Sequence, residues 1–402
     1  MNNYAVDIRR KLHMYPEVGF ELPRTLALLR AELDAMGVEY TENYGKSSLV
    51  ATINPHKKQF VIGVRADMDA LPIEEANDVP YKSQINGQMH ACGHDAHTAI
   101  ALATLREINE MRDEVDCCVK FIFQSAEEVS PSGAKLMAED GVMDDIDCVV
   151  ALHVSAAYKA GQIGLSIGDQ NAISDGFIIE FFGKSAHAVD QKHGRDALMM
   201  AVKAYMEIEL MVAKDFNGDV PVIFNVGSMH GGDANNIICD YAYMYCTLRT
   251  HDDYVAEYAL NKIKKIINAI AETSEGRAQF TAKKHYPKVT NNKTVTEKVR
   301  KAAEEVIGKE NVLPKRRGMG GEDFSYFARL KPGCMYHLGI ANKERGITNP
   351  VHTVKFDIDE SSLEVGVNIF KRFILDNMYG IDFSDADECH EASVAEFSNE
   401  AI

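Results

Sequence analysis

Phe60-Val61-Ile62-Gly63-Val64 is a short apolar run that closes on Asp67 and Asp69, and its reading decides the fold. Runs of the same kind recur at Ser48 to Ile53, Val119 to Phe123, Cys148 to Leu152 and Met335 to Leu338, several separated by stretches of helical periodicity. Short apolar strands alternating with helices imply an α/β sheet. Polar residues collect where these strands stop: Asp67 and Asp69, then Glu127 and Glu128, then His153 at the end of the run from Cys148. Open α/β sheets bind ligands at the carboxyl ends of their strands, so these side chains are weighted towards a site.

Between two of the strands lies Met89-His90-Ala91-Cys92-Gly93-His94-Asp95-Ala96-His97, with one thiol and three imidazoles in nine residues, just ahead of an apolar helical run. Cys92 and His94 flank Gly93, a spacing that lets a tight turn aim both at one ion, and thiolate with imidazole suits zinc and other first-row divalent metals. The competing reading is a helix start that carries histidines incidentally, with Asp95 as its N-cap. A two-metal hydrolytic site also needs terminal ligands and a carboxylate to deprotonate water. In Glu127-Glu128, adjacent side chains at a strand end point in different directions, so one can bind a metal while the other acts as base. A solvated acidic loop would read the same way, and His153 could equally be satisfied locally.

The first 38 residues read as a helix pair broken at Pro16-Glu17-Val18-Gly19. From Phe177 to Lys283 the rhythm changes to strand, helix, two strands, helix, strand, the β-α-β-β-α-β order of a ferredoxin-like unit. One of its strands alternates Tyr241, Tyr243 and Tyr245 with Ala242, Met244 and Cys246, which gives it two distinct faces. The expected organisation is a catalytic domain from 1–173 and 286–378, an inserted domain over 174–285, and an acidic, weakly patterned, flexible tail over 379–402. At 402 residues the chain is long enough for two cores, and 46% hydrophobic with 26% charged residues describes an ordinary globular protein. A net charge of -17 without a basic stripe argues against nucleic acid. The N-terminus is polar and no run approaches eighteen apolar residues, so the expectation is a cytoplasmic protein with no membrane partner. Eight scattered cysteines, mostly in apolar runs, read as reduced thiols.

Arg65-Ala66-Asp67-Met68-Asp69-Ala70-Leu71-Pro72, the run from Met89 to His97, Ser125-Ala126-Glu127-Glu128, Met319-Gly320-Gly321-Glu322-Asp323-Phe324, and His352 followed by Phe356-Asp357-Ile358-Asp359-Glu360 stand in one order along the chain. Together with Arg10-Lys11-Leu12-His13-Met14-Tyr15-Pro16-Glu17, they resemble the metal-dependent amidohydrolases that include hippurate hydrolase, bacterial N-acyl-amino-acid deacylases and the plant hydrolases of indole-acetyl amino acid conjugates. Aminoacylase and glutamate carboxypeptidase are more distantly similar. The resemblance implies a mixed-sheet, zinc-peptidase-like catalytic domain with an inserted ferredoxin-like domain that serves as lid and homodimer contact. It implies two divalent metal ions per chain, zinc or manganese, with cobalt or nickel tolerated. Cys92 would bridge them, His94 and His153 would complete one metal, and Glu128 and His352 the other. Glu127 would be the general base and Asp69 the acid that orients a ligand histidine. A histidine stands in distant relatives where this chain has Asp67, and His94 compensates, which leaves Asp67 out of the ligand set. From the inserted domain, His187 would stabilise the oxyanion, in some relatives from the partner subunit, while Asn236, Arg249 and the Gly320-Gly321 loop would hold substrate. For Arg249 a surface ion pair, and for the glycines a tight turn, remain open. The expected reaction is hydrolysis of the amide of an N-acyl or N-aroyl amino acid; a dipeptidase, a deacetylase of acetyl-diaminopimelate type, or a non-catalytic dimeric metal-binding module are the alternatives. The lid departs from close relatives at Gln191-Lys192 and at Asn236-Ile237-Ile238-Cys239.

Overall fold

The computed structural model describes residues 3–216 and 220–384; most of the expected acidic tail, 385–402, lies outside the described residues. Two compact units divide the chain. The first takes in residues up to Gln170, Val289–Arg316 and the chain from Asp323 on, and the second takes in Asn171–Lys288 with Arg317–Glu322.

In chain order the first unit opens with helices α1 (Asn3–Met14) and α2 (Pro23–Met36), followed by strands β1 (Glu39–Thr41), β2 (Leu49–Ile53) and β3 (Val61–Asp67). Helix α3 (His94–Glu110), β4 (Cys118–Gln124), α4 (Gly133–Glu139), β5 (Cys148–Lys159), β6 (Ile163–Leu165) and β7 (Gly168–Asn171) come next. The second unit contributes β8 (Ile173–Phe182), α5 (Ala197–Asp215), β9 (Val222–Gly231), β10 (Tyr241–Thr250), α6 (Asp253–Thr273) and β11 (Arg277–Tyr286). The chain then forms β12 (Val289–Asn291), α7 (Lys293–Ile307), β13 (Val312–Pro314), α8 (Phe324–Leu330), β14 (Gly333–Ala341) and α9 (Ser361–Asn377).

The main sheet has the order β1-β2-β4-β3-β5-β14-β6-β13. Strands β4, β3, β5 and β14 run parallel, while β2 and β6 join them antiparallel; β7 and β12 form a separate ribbon. Buried on both faces, β3 and β4 have every residue inside, which is why they read as unbroken apolar runs rather than alternating ones. Helix α3 packs against β3, α1 and α9. It is enclosed nearly all round, and its alanines at 96, 99, 101 and 103 are fully buried, small residues that permit that close packing.

Two expectations need correction. His153 does not end its strand: β5 continues to Lys159, paired with β14, and beyond Leu152 the strand emerges so that only some residues stay buried. The apolar signal stops there while the hydrogen-bond ladder goes on. Asp95 is not the N-cap of α3; that position is Gly93 at φ 85°, where an added Cβ would come within 2.4 Å of Val154. Asp95 instead accepts from Arg9 Nε at 2.9 Å and lies 2.6 Å from His13 Nδ1, all three side chains buried. Arg9 also reaches Asp357 at 3.2 Å. This cluster ties α1 to the helix start that carries His94.

Burial opposes ionisation of Asp95, yet Arg9 and His13 hold its carboxyl well below the usual carboxylate range. A depressed carboxyl contributes stability above its unfolded pKa of about 3.9, and that contribution is lost as pH falls below it. Asp95→Asn is expected to lower unfolding free energy by about 3 kcal/mol, because it removes the fully buried carboxylate shared by Arg9 and His13 and leaves Arg9 only Asp357 at 3.2 Å and Glu360 at 3.5 Å. Urea denaturation at neutral pH measures the loss, and repetition at descending pH should show a shallower acid decline for the variant than for the parent.

The second unit arranges its sheet as β11-β8-β10-β9, all antiparallel. With α5 and α6 this is the ferredoxin-like β-α-β-β-α-β topology, inserted in the α/β fold. Ala256, Ala259, Ile263 and Ile267 form the buried stripe of α6 at the spacing of one helix face. On β10, Ala242, Met244, Cys246 and Leu248 are buried, while Tyr241 and Tyr245 are exposed on the other face. Among the described residues, no helix is long and apolar enough to cross a membrane.

Candidate active site

The donors of the first unit come from four segments. The turn at Gly93 places Cys92 and His94 at the start of α3; the loop after β4 places Glu127 and Glu128; β5 carries His153; and the loop between β14 and α9 carries His352. Two of these loops hold non-glycine residues in the left-handed region, Ala126 at φ 56° and His352 at φ 64°. Such residues cost energy and persist where the surroundings over-determine them, commonly at functional sites. His352 is pinned by its N–H, which donates to Ala91 O at 2.8 Å.

Cys92, His94 and His153 bring one ligand atom each within 4.8 Å of one another, and so do Cys92, Glu128 and His352. The thiol is common to both triads. Cys92 Sγ lies 3.4 Å from His153 Nε2, and His352 Nε2 lies 3.0 Å from Glu128 Oε1. Glu127 is buried beside them and shares a third cluster with His94 and Glu128. Asp69 has a double role that sequence reasoning saw only in half. Its carboxylate accepts the backbone N–H groups of Glu127 at 2.9 Å and Glu128 at 3.2 Å, and its Oδ1 stands 3.4 Å from His94 Nδ1.

Burial and neighbouring groups set the charge of each donor. Burial pushes the Cys92 thiol well up, against the pull of His94. Burial would lower His94, but Asp67 and Cys92 raise it well above an ordinary imidazole. Glu128 is held down to about 2 despite its burial, chiefly by the hydrogen bond from His352. Burial brings His153 down to about 3, so its ring is neutral near pH 7.

Sequence reasoning passed over two residues here. His337 stands in register with His153 on the neighbouring strand, ring centroids 6.0 Å apart; a histidine inside the apolar run from Met335 was the available signal. His97, the last residue of the run from Met89 to His97 but given no role there, lies 2.5 Å from Asp67 through Nδ1. Asp67 also pairs with Arg65 Nη1 at 2.8 Å and is fully buried.

The remaining candidates belong to the second unit. His187 and Asn236 are exposed and adjacent: His187 bridges to Ile237, and Ala188 N–H donates to Asn236 O at 2.9 Å. Arg249 Nη1 donates to Met319 O at 2.8 Å, and Ala172 N–H donates to Gly320 O at 3.1 Å. A Cβ on Gly321 would sit 2.8 Å from Ser174 and 2.9 Å from Tyr286, so this glycine answers to close packing. His187 with Asn236 form one group and Arg249 with the glycine loop another.

The model of peptidase family M20/M25/M40 matches residues 63–376. The chain belongs to this family. It is 33% identical over 369 residues to thermostable carboxypeptidase 1 of Saccharolobus solfataricus, covering 91% of this chain and 93% of that one. It is 32% identical over 363 residues to the N-acetyl-L-cysteine deacetylase of Bacillus subtilis, covering 90% and 85%. Among solved structures, the Bacillus subtilis YXEP protein, described as a dinuclear metal binding peptidase of the M20 family, matches with a TM-score of 0.77 at 27% identity over 93% of this chain and 97% of its own. As an M20 protein the chain is a metal-dependent hydrolase, with a fold that provides for two divalent ions.

This chain's own residues fit such a centre. The fully buried His94 has no well-formed hydrogen bond at either ring nitrogen: Asp69 Oδ1 stands off at 3.4 Å from Nδ1 and Asp67 Oδ2 at 3.6 Å from Nε2, an incomplete satisfaction that a bound ion would relieve. Thiolate, imidazole and carboxylate together are a donor set for first-row divalent metals.

Proposed function

We propose that this M20 hydrolase cleaves the amide of N-acyl or N-aroyl amino acids to a carboxylate and a free amino acid. The observation that carries the reading is the pair of donor triads sharing Cys92, with the buried carboxylate of Glu127 alongside. Cys92, His94 and His153 would hold one ion and Cys92, Glu128 and His352 the other, with the thiolate common to both sets. Two divalent ions, when bound, polarise the scissile carbonyl and lower the pKa of water towards about 7. Glu127 takes the proton of the attacking water and passes it to the leaving amine nitrogen, completing the addition of water across the C–N bond. Asp69 orients His94 and fixes the backbone that presents Glu127 and Glu128. His187 donates to the developing oxyanion; Arg249 takes the substrate carboxylate through its paired N–H donors, with Asn236 and the Gly320-Gly321 loop completing the substrate contacts.

The chemistry of the donors favours zinc, with manganese next. The catalytic domain comprises 1–173 and 286–378, and the inserted domain, 174–285, acts as lid and homodimer contact. In support, α5 exposes Met199, Met206 and Leu210, and β9 is an edge strand of its sheet, both features that invite a second copy. The unpaired state of the seven described cysteines suits a reducing compartment, hence the cytoplasm.

A dipeptidase or deacetylase would use the same centre, and the carboxypeptidase and deacetylase relatives favour keeping that second reading. Amino-acid release from a panel of N-acetyl, N-benzoyl, longer N-acyl and dipeptide substrates decides between them. Metal-reconstituted protein should release product from the acyl subset, and chelator should abolish it. Release from dipeptides alone would transfer the assignment, and no release from a chain holding two metals would leave a non-catalytic binding module.

A further inference from the structure

His97 belongs to neither triad, though it clusters with Asp67 and His94, and it sits between two of the ligand histidines, its ring centroid 5.4 Å from that of His94 and 4.8 Å from that of His153. Its hydrogen bonds admit one tautomer. Val154 N–H donates to Nε2 at 2.9 Å, so Nε2 carries no proton. Nδ1 must then be the donor to Asp67 Oδ1 at 2.5 Å, which agrees with a carboxylate that only accepts. The same Val154 accepts on its other side: its carbonyl lies 2.8 Å from His153 Nδ1. A carbonyl cannot donate, so His153 is protonated at Nδ1, and the lone pair of its Nε2 is left facing Cys92 Sγ at 3.4 Å.

The far end of this chain is anchored. Asp67 Oδ2 pairs with Arg65 Nη1 at 2.8 Å, and Asp67 O accepts from Thr98 Oγ1 at 2.8 Å. Arg65 is held in turn by Gln124 at 2.8 Å and Asp323 at 2.6 Å. Asp67 Oδ2 also stands 3.6 Å from His94 Nε2, so the same carboxylate faces both histidines of the α3 start.

We propose that His97 is a positioning residue: along the positional relay Asp67, His97, Val154, His153, the ring of His97, held by Asp67, fixes the backbone of Val154, whose carbonyl selects the Nδ1–H tautomer of His153 and presents its Nε2 to a metal. The Val154 N–H and carbonyl belong to successive peptide groups, so His97 acts by fixing where that carbonyl stands, and partners behind a ligand histidine set both its orientation and its basicity. The inference rests on His153 being a ligand, as proposed above.

The test compares the parent with His97→Phe, which removes both hydrogen bonds, and His97→Gln, whose amide can donate to Asp67 and accept from Val154. Histidine 15N chemical shifts of the metal-free protein report the His153 tautomer, and chelator competition with zinc gives the affinity of each site. The parent should show His153 protonated at Nδ1. In His97→Phe one zinc should bind about 10- to 100-fold more weakly while the other is unaffected, and His97→Gln should recover most of the loss. An Nε2–H tautomer in the parent, unchanged zinc affinities in a folded His97→Phe, or a Gln variant no better than Phe would overturn the relay. Should His97→Phe fail to fold, the parent's tautomer and the Gln variant decide. The tautomer is read without metal or substrate, so a parent that hydrolyses none of the panel would defeat the functional reading and leave this result standing.

Discussion

Cys92→Ala should yield a protein with no measurable amide hydrolysis and fewer than two metals per chain. Cys92 is the one donor shared by both triads, so its loss leaves each ion two protein ligands and no bridging anion to offset the repulsion between two dications. The side chain is small and buried, and the substitution removes a single heavy atom from it, so the fold should persist. Metal content by atomic absorption, measured beside turnover, checks the expectation. A fully metallated, active Cys92→Ala protein would remove the bridging role and with it the assignment of two ions to these triads.

The second large effect is expected for Glu127→Gln. The amide keeps the shape of the carboxylate, and the backbone N–H of residue 127 still donates to Asp69, so the loop should stay in place. What is lost is the proton acceptor, and general-base catalysis is worth about 10²- to 10⁴-fold. The fall should appear in kcat, with KM and metal content close to the parent's, because Glu127 acts on the proton of water and neither triad includes it. A KM effect or a missing ion would instead make Glu127 a ligand or a substrate contact.

Much of the fold was legible because its signals are local. Fully buried strands read as apolar runs, and α6 shows its stripe at helical spacing. Short elements escaped: β6, β12 and β13 have three residues each, too few for a period, and they are defined by their pairing, β6 with β14, β13 with β6 and β12 with β7. The run from Cys148 was cut at His153 because hydropathy follows burial, whereas β5 is defined by its pairing with β14. The competing reading of Asp95 as an N-cap fails for a related reason. A polar residue at a helix start looks like a cap until a buried arginine from α1, 86 positions away, claims it.

From the sequence alone came the α/β class, the inserted ferredoxin-like unit, the donor types and the family resemblance, since periodicity, residue chemistry and motif order are properties of the chain itself. Only the tertiary structure decided which donors meet. The parallel order β4, β3, β5 brings the strand-end residues Asp67, Glu127 and Glu128 to one edge with the turn at Gly93. The passage of β5 beside α3 carries His153 to within 3.4 Å of a thiol 61 residues earlier, and sets His97 behind it. Distances of that kind depend on strand order and helix packing, and no local pattern encodes them.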